Sequence, residues 1–292
     1  MADEFAFLTA LRGIATHPGA NGLRDDAAHL DVAGGRLVLT TDTMVAGVHY
    51  RPEDPAESVG WRLAAVNLSD LAAKGARPLA CLLNYTLSGD PAWDARFLAG
   101  LDDALSTYAL PLLGGDTVAM PRGSARALSL TAIGVAGPDT PLRSGARAGD
   151  GVWVTGTIGA AAFGDDGDPV DPSRYLRPMP RVAEGQAIAR LATAMMDVSD
   201  GLLIDAERMA TASGVAIEID LDAVPVTPAG IDPLAACTAG DDYELLFTLP
   251  TGIVPPVAAT RIGTVRTGAG IALTTQGGPV PLPARLGYAH RA

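Results

Sequence analysis

The chain has 292 residues, a formal net charge of −12, 48% hydrophobic residues and one lysine, Lys74. This charge argues against a nucleic-acid or anionic-membrane partner, which would need basic patches to neutralise phosphates. No stretch approaches the ~18 uninterrupted apolar residues of a membrane span. A Walker A loop is excluded because Gly75, not Ser or Thr, follows Lys74.

The length suits two domains of about 150 residues each, with a boundary expected at the Gly137-Pro138 pair, giving 1–137 and 138–292. The opening residues MADEF lack the basic end of a secretory signal, so a soluble cytoplasmic protein is expected. Cys81 and Cys237 lie in separate halves without metal-ligand spacing and are expected to be structural thiols.

Residues 4–15 have the spacing of a short amphipathic helix, with Phe5, Leu8, Leu11 and Ile14 about a turn apart. A Gly/Asn/Pro-rich loop then delivers Arg24, Asp25 and Asp26. A strand is expected at residues 37–39, running into the four oxygen-bearing side chains Thr40, Thr41, Asp42 and Thr43. Magnesium takes oxygen ligands in octahedral geometry and bridges carboxylates to phosphates, so this run is a candidate cation site.

Asp54-Pro55 has the form of a helix start for a helix to Lys74, which places Asn67 and Asp70 on one face. A strand at 79–87, a helix at 93–108, a strand at 110–113 ending in Gly114-Gly115-Asp116-Thr117 and a strand at 127–136 complete an open layer of mixed strands.

In the second half, a strand at 152–155 is followed by an Asp/Gly/Pro-rich stretch at 164–172, expected to be a mobile loop. A helix at 180–192 leads to Met196-Asp197-Val198-Ser199-Asp200-Gly201. Ser199 and Asp200 fall at the start of the next helix, 202–212, where backbone N–H groups suit an anion. Strands are expected at 215–220, 243–249, 261–265 and 271–274, the second preceded by Gly240-Asp241-Asp242. One Asp beside Gly, Ser or Thr at an element's end is an ordinary cap or turn. The recurrence at Asp25/Asp26, Asp42, Asp70, Asp116, Asp197/Asp200 and Asp241/Asp242 points instead to a shared cluster of divalent cations.

The ordered motifs LTTDTMVAGVH, AVNLSDLAAKGARP, LLGGDT, PLRSGA, MDVSDGL and GDDYELLF resemble those of the thiamine-monophosphate kinases, over nearly the whole chain. The resemblance implies an α/β (α+β) fold like that of aminoimidazole-ribonucleotide synthetase. Its N-terminal ferredoxin-like domain would dimerise, with a C-terminal α/β domain completing the site.

The resemblance also implies ATP as co-substrate, several Mg²⁺ ions and thiamine monophosphate as acceptor. Asp26, Thr40, Thr41, Asp42, Asp70, Asp116, Asp197 and Asp200 would be metal ligands, and Gly115, Asp116, Arg143 and Ser199 would lie against ATP. Asp42, Asp116 and Arg143 would carry the transfer; His49, Asp241 and Arg285 would face the acceptor. This chain departs from the family's pattern at Arg24, where a glycine is usual, at Asp241 for a glutamate, and at Arg285 where a tryptophan is usual. All of these bear on the acceptor side or its border. A different small acceptor and a non-catalytic nucleotide sensor are therefore the competing expectations.

Overall fold

The computed structural model describes residues 8–9, 11–121, 123–164, 167–227 and 231–289. Of the helix expected at 4–15, residues 4–7 and 10 lie outside them, and the described part is helical at residues 8–9 and 11 and turns at 12–14. The first half forms β1 (Ala28–Val32), β2 (Gly35–Val45), α1 (Ala56–Ala73), β3 (Arg77–Thr86), α2 (Pro91–Thr107), β4 (Leu112–Val118) and β5 (Ala127–Val135). Its five strands lie in the order β1-β2-β5-β3-β4. Only β3 and β4 run parallel, with α2 as their crossover, so the sheet is mixed as expected.

The second half forms β6 (Gly151–Thr155), α3 (Pro172–Leu176), α4 (Val182–Ile188), β7 (Ala194–Val198), α5 (Leu202–Ser213), β8 (Ala216–Asp220), α6 (Pro233–Thr238), β9 (Glu244–Leu249), β10 (Ala259–Arg266), β11 (Gly270–Thr275) and β12 (Gly278–Val280). Its seven strands are ordered β12-β11-β8-β10-β6-β9-β7. No helix of the described residues is long and apolar enough to cross a membrane.

Helix α1 joins the halves. Only Glu57 and Asp70 of its residues are not buried. An all-round apolar helix belongs inside a protein, and α1 shares one core with Leu128 and Leu130 on one side and Met195, Leu245 and Phe247 on the other. Against α2 it packs at a glycine crossing, where a Cβ on Gly60 would sit 2.1 Å from the Phe97 carbonyl oxygen and one on Gly100 1.8 Å from that of Glu57. Pro55 occupies the N-cap of α1 with no side-chain cap bond. Asp54, expected to cap it, instead accepts from the Arg51 N–H at 2.8 Å and the Tyr175 hydroxyl at 2.7 Å.

Several boundaries differ from the sequence reading. Strand β2 continues through Thr40 to Thr43, and β4 through the diglycine. Residues 180–192 yield only the short α4, and the stretch around Asp197 is strand β7. The segment expected to be a mobile loop is bridged between Phe163 and Pro169 and tied by Val170 N–H to the Ala162 carbonyl at 2.7 Å; its residues 165–166 lie outside the described set. Both cysteines are buried, and burial pushes their thiols up, Cys81 to about 11 and Cys237 to about 12, as inert core thiols require.

Candidate functional site

The pleat of β2 sorts the Thr/Asp run. Val38, Thr40, Asp42 and Met44 face α1, while Thr41 and Thr43 face the open side of the sheet. There the Thr41 hydroxyl donates to the Leu130 carbonyl at 3.2 Å and accepts from Thr131 at 3.0 Å. Asp116 is on that open side too, since the register runs Thr43, Ser129, Asn84, Asp116 across the sheet. It is exposed, about 14 Å from Thr43 by three strand spacings. Alternation therefore removes the Thr41 side chain, and position in the sheet removes Gly115 and Asp116, from the carboxylates gathered on the other face.

That other face borders a cleft of about 580 Å³ between the halves. Helix α1 lines it with Arg62, Val66 and Asp70, one residue per turn. Strand β2 adds Asp42 and Met44, the following turn Val48 and His49, strand β7 Asp197, and the loops Ser199, Asp200, Asp241, Phe163, Tyr243 and Tyr288.

Eight residues separate Arg62 from Asp70, so the cleft runs about 12 Å along α1 from a cationic and aromatic end to an acidic end. At the acidic end the Thr40 hydroxyl donates to Asp70 and the Ser69 hydroxyl to Asp197 at 2.8 Å. Burial pushes Asp70 and Asp197 well above the usual carboxylate range, reinforced by Asp42 beside Asp70 and by Asp26 beside Asp197. Burial, with Asp200 and Asp26 nearby, raises Asp42 to about 6.

Asp25 and Asp26 lie behind this end. Burial alone would raise Asp26, but Lys74 and Arg143 overrule it and hold its carboxyl at about 2. Among the described residues no three carboxylate, imidazole or thiol groups form a ready metal cage. The donor set still fits magnesium, which is commonly held by one or two carboxylates while substrate phosphates and water fill the remaining positions.

At the other end Arg62 is buried, pairs with Asp241 at 2.5 Å, donates to the Tyr175 carbonyl at 3.1 Å and stacks on the Tyr175 ring at 4.6 Å. Asp241 and Tyr243 both have positive φ, 69° and 52°, backbone strain held by Asp241 N–H to the Ser199 carbonyl and Tyr243 N–H to that of Val198. His49 Nδ1 accepts from the Val45 N–H at 3.0 Å, which leaves the ring's proton on Nε2. Phe163 meets Tyr175 edge-on at 5.0 Å.

The amino end of α5 differs from expectation, because the N–H groups of Ser199 and Asp200 both donate to Asp205 at 3.1 Å and are not open to an anion. Burial raises Asp205 to about 7 against the opposing Arg208. Arg285 is exposed and does not line the cleft; Tyr288, three residues on, does. Arg24 is likewise exposed and obstructs nothing there. Sequence reasoning did not single out Arg62, Phe163 or Tyr243, and used Lys74 to exclude a Walker A loop and to end a helix without placing it at the site.

Asp242 gives a pH-dependent prediction away from the acidic end. Its Oδ1 accepts from the Gly159 N–H at 2.9 Å while Oδ2 is buried without a hydrogen-bond partner. Burial pushes it well above the usual carboxylate range. A raised acid contributes stability in full below its unfolded value and loses it as pH rises towards the folded one. The Asp242→Asn variant mimics the protonated form, so its Tm should exceed that of the parent by a margin widening from pH 5 to pH 8. Melting curves with parallel pH dependence would refute this.

The chain matches the family models described as AIR synthase related protein, N-terminal domain, over residues 24–136, and AIR synthase related protein, C-terminal domain, over residues 147–273. It is 40% identical to a protein of Escherichia coli (strain K12) named thiamine-monophosphate kinase, over 78% of this chain and 76% of that protein. A protein of the same name from Caulobacter vibrioides (strain ATCC 19089 / CIP 103742 / CB 15) is 36% identical over 94% of this chain and 86% of its own length. The solved structure described as AaThiL complexed with AMPPCP and TMP superposes with a TM-score of 0.86 at 30% identity, covering 98% of this chain and 97% of that one.

Proposed function

Because the chain belongs to the thiamine-monophosphate kinase family, with the AIR synthase related fold, we propose that it transfers the γ-phosphoryl group of ATP to the phosphate of thiamine monophosphate, giving thiamine diphosphate and ADP. The observation that carries this reading is the polarity of the cleft, with Asp42, Asp70, Asp197 and Asp200 at one end and Arg62, His49 and Phe163 at the other. With magnesium neutralising the carboxylates, that end would accept a phosphate, and with Asp241 neutralising Arg62 the other end would take a flat cationic heterocycle on its aromatic side chains.

The acceptor is a phosphate monoester, ionised near neutral pH, so no general base is needed. Catalysis becomes positioning and charge neutralisation. Magnesium ions, when bound, would supply that neutralisation, and Asp42, Asp70, Asp197 and Asp200, with Thr40 beside them, are the residues that would hold them, while Asp26, already paired with Lys74 and Arg143, backs them. Arg143 pairs with Asp26 and has a buried Nε without a hydrogen-bond partner, which suits a role on the donor phosphates; the Ser199 side chain lines the same end. His49, with its proton on Nε2, is a hydrogen-bond donor to the acceptor rather than a base. Asp241 fixes Arg62 at the acceptor end.

The same reading takes residues 1–137 and 138–292 as the two domains and a homodimer as the working form. Supporting the latter, the edge strand β4 is exposed along its length, with Leu113 at 69% and Val118 at 46%, and Leu79 and Leu82 are exposed on neighbouring β3. Such an edge calls for cover. Asp116 lies on that strand and belongs to the proposal only as a residue of the paired assembly.

The experiment is ADP release from Mg²⁺·ATP with and without thiamine monophosphate, with products separated afterwards. One thiamine diphosphate per ADP is expected. ATP binding without that product would redirect the search to another small acceptor. Within the same assay, Phe163→Ala should raise the KM for the acceptor about tenfold, as loss of an aromatic platform costs a ligand about 1–2 kcal/mol. Its kcat and KM for ATP should stay unchanged; an unaltered acceptor KM would remove Phe163 from the site.

A further inference from the structure

Lys74 is the chain's only lysine and its side chain is completely buried. Lysines are almost never found so unless paired. Its ammonium bridges two carboxylates, Asp25 Oδ1 in a short contact and Asp26 Oδ2 at 2.7 Å, with the Met195 carbonyl at 3.3 Å. Three oxygens around one buried charge is the environment of a bound cation. Lys74 also extends from the C-terminal end of α1, where the helix dipole favours positive charge. Arg143 takes the other oxygen of Asp26.

The Asp25–Asp26 end of the cluster is thus charge-balanced by the chain itself. Asp70 and Asp197, one turn of α1 and one strand away, are paired with the neutral hydroxyls of Thr40 and Ser69.

We propose that Lys74 is a resident cation of the carboxylate cluster, occupying a position that a divalent ion would otherwise fill between Asp25 and Asp26 and so confining exogenous metal to the Asp42–Asp70–Asp197 end. This rests on reading the cluster as a divalent-cation site. Lys74 acts as a positioning residue: it fixes Asp26 against β7 before any metal arrives. It also lets the two halves close around buried carboxylates without metal.

The test is the number of Mn²⁺ ions bound per chain without nucleotide, counted by electron paramagnetic resonance, in the full-length parent and in Lys74→Met. The variant is expected to bind one ion more. Its Tm in EDTA should fall on the order of 10 °C, as loss of one partner of a buried pair implies, and Mg²⁺ should raise it by more than it raises the parent's. A merely structural lysine would lower Tm equally with and without Mg²⁺ and leave the count unchanged, and that outcome overturns the proposal.

A parent that binds no Mn²⁺ refutes the metal-site reading itself, whereas equal counts in parent and variant refute only the role of Lys74. Should Lys74→Met fail to fold, Lys74→Met with Asp25→Asn removes one charge of each sign. A folded double variant with a parent-like Tm in EDTA supports the pairing, and its failure to fold overturns it.

Discussion

Asp42→Asn is expected to lower kcat for ATP-dependent phosphorylation by roughly 10³, the scale on which removing one preorganised electrostatic group acts. Its fold should survive. Asp42 is raised from 3.8 to about 6, first by burial and then by Asp200 and Asp26. Its ionised form is therefore disfavoured in the metal-free protein, with a penalty that grows as pH rises from about 4 to 6 and reaches about 3 kcal/mol above that window.

Asparagine removes this penalty, and the backbone bond from Asp42 N–H to the Asn67 side chain at 3.1 Å remains. Activity and stability should thus move in opposite directions, as expected where a cluster is kept for function at the expense of folding. The paired measurement is kcat with Mg²⁺·ATP and Tm in EDTA, both at pH 8. Activity within tenfold of the parent would sink the carboxylate argument, and a lower Tm would show that Asp42 is a packing residue.

The second large effect concerns stability. Glu244 opens β9 with its side chain completely buried, held by Arg174 at 2.5 Å, by Arg181 through two bonds of 2.6 Å and by the Thr155 hydroxyl at 2.7 Å. These bonds pin residues 174–181, which in turn receive the Trp61 indole N–H on the Pro178 carbonyl at 2.8 Å and Arg62 on the Tyr175 carbonyl.

Glu244→Gln leaves two guanidiniums without their counter-ion. Both are about one-fifth exposed and regain some water, so the loss is set below the buried-pair range, at about 2–4 kcal/mol, or roughly 5–15 °C in Tm. The acceptor KM should rise with it, because the brace positions Arg62 and Tyr175 beneath the cleft. A change in Tm under 2 °C would show that the three partners do not act as a unit.

How far the sequence reaches is visible at β2. The Thr/Asp run was recognisable as chemistry, and the alternation Val38, Thr40, Asp42, Met44 was available to sort it. Ending the expected strand at Leu39 loses that period and places Thr41 among the carboxylates, whereas its side chain is on the other face. Helix α1, most strands of the two sheets and the family were readable from periodicity and ordered motifs, whereas β1, β7 and β12 were not expected.

What sequence does not carry is pairing at long range. Lys74 meets Asp25 across 49 residues and Arg62 meets Asp241 across 179, and neither neighbourhood betrays its partner. Arg285 is misplaced as well. In the fold Tyr288, not the arginine three residues before it, lines the cleft: Gly287 packs on Ile204, and the Tyr288 N–H donates to the Asp200 carbonyl at 2.9 Å.

The helix shared by both halves also sets an order of events during synthesis. Residue 73 ends α1, yet the strand that covers its far side is complete only at residue 249, 176 residues later. At about 5–20 residues per second, the ribosome leaves that apolar flank uncovered for roughly 10–35 s. The nascent first half is consequently left with an uncovered apolar flank rather than a finished core. Truncated fragments ending between the two sheets should be recovered in inclusion bodies, even though the five strands they contain are all present.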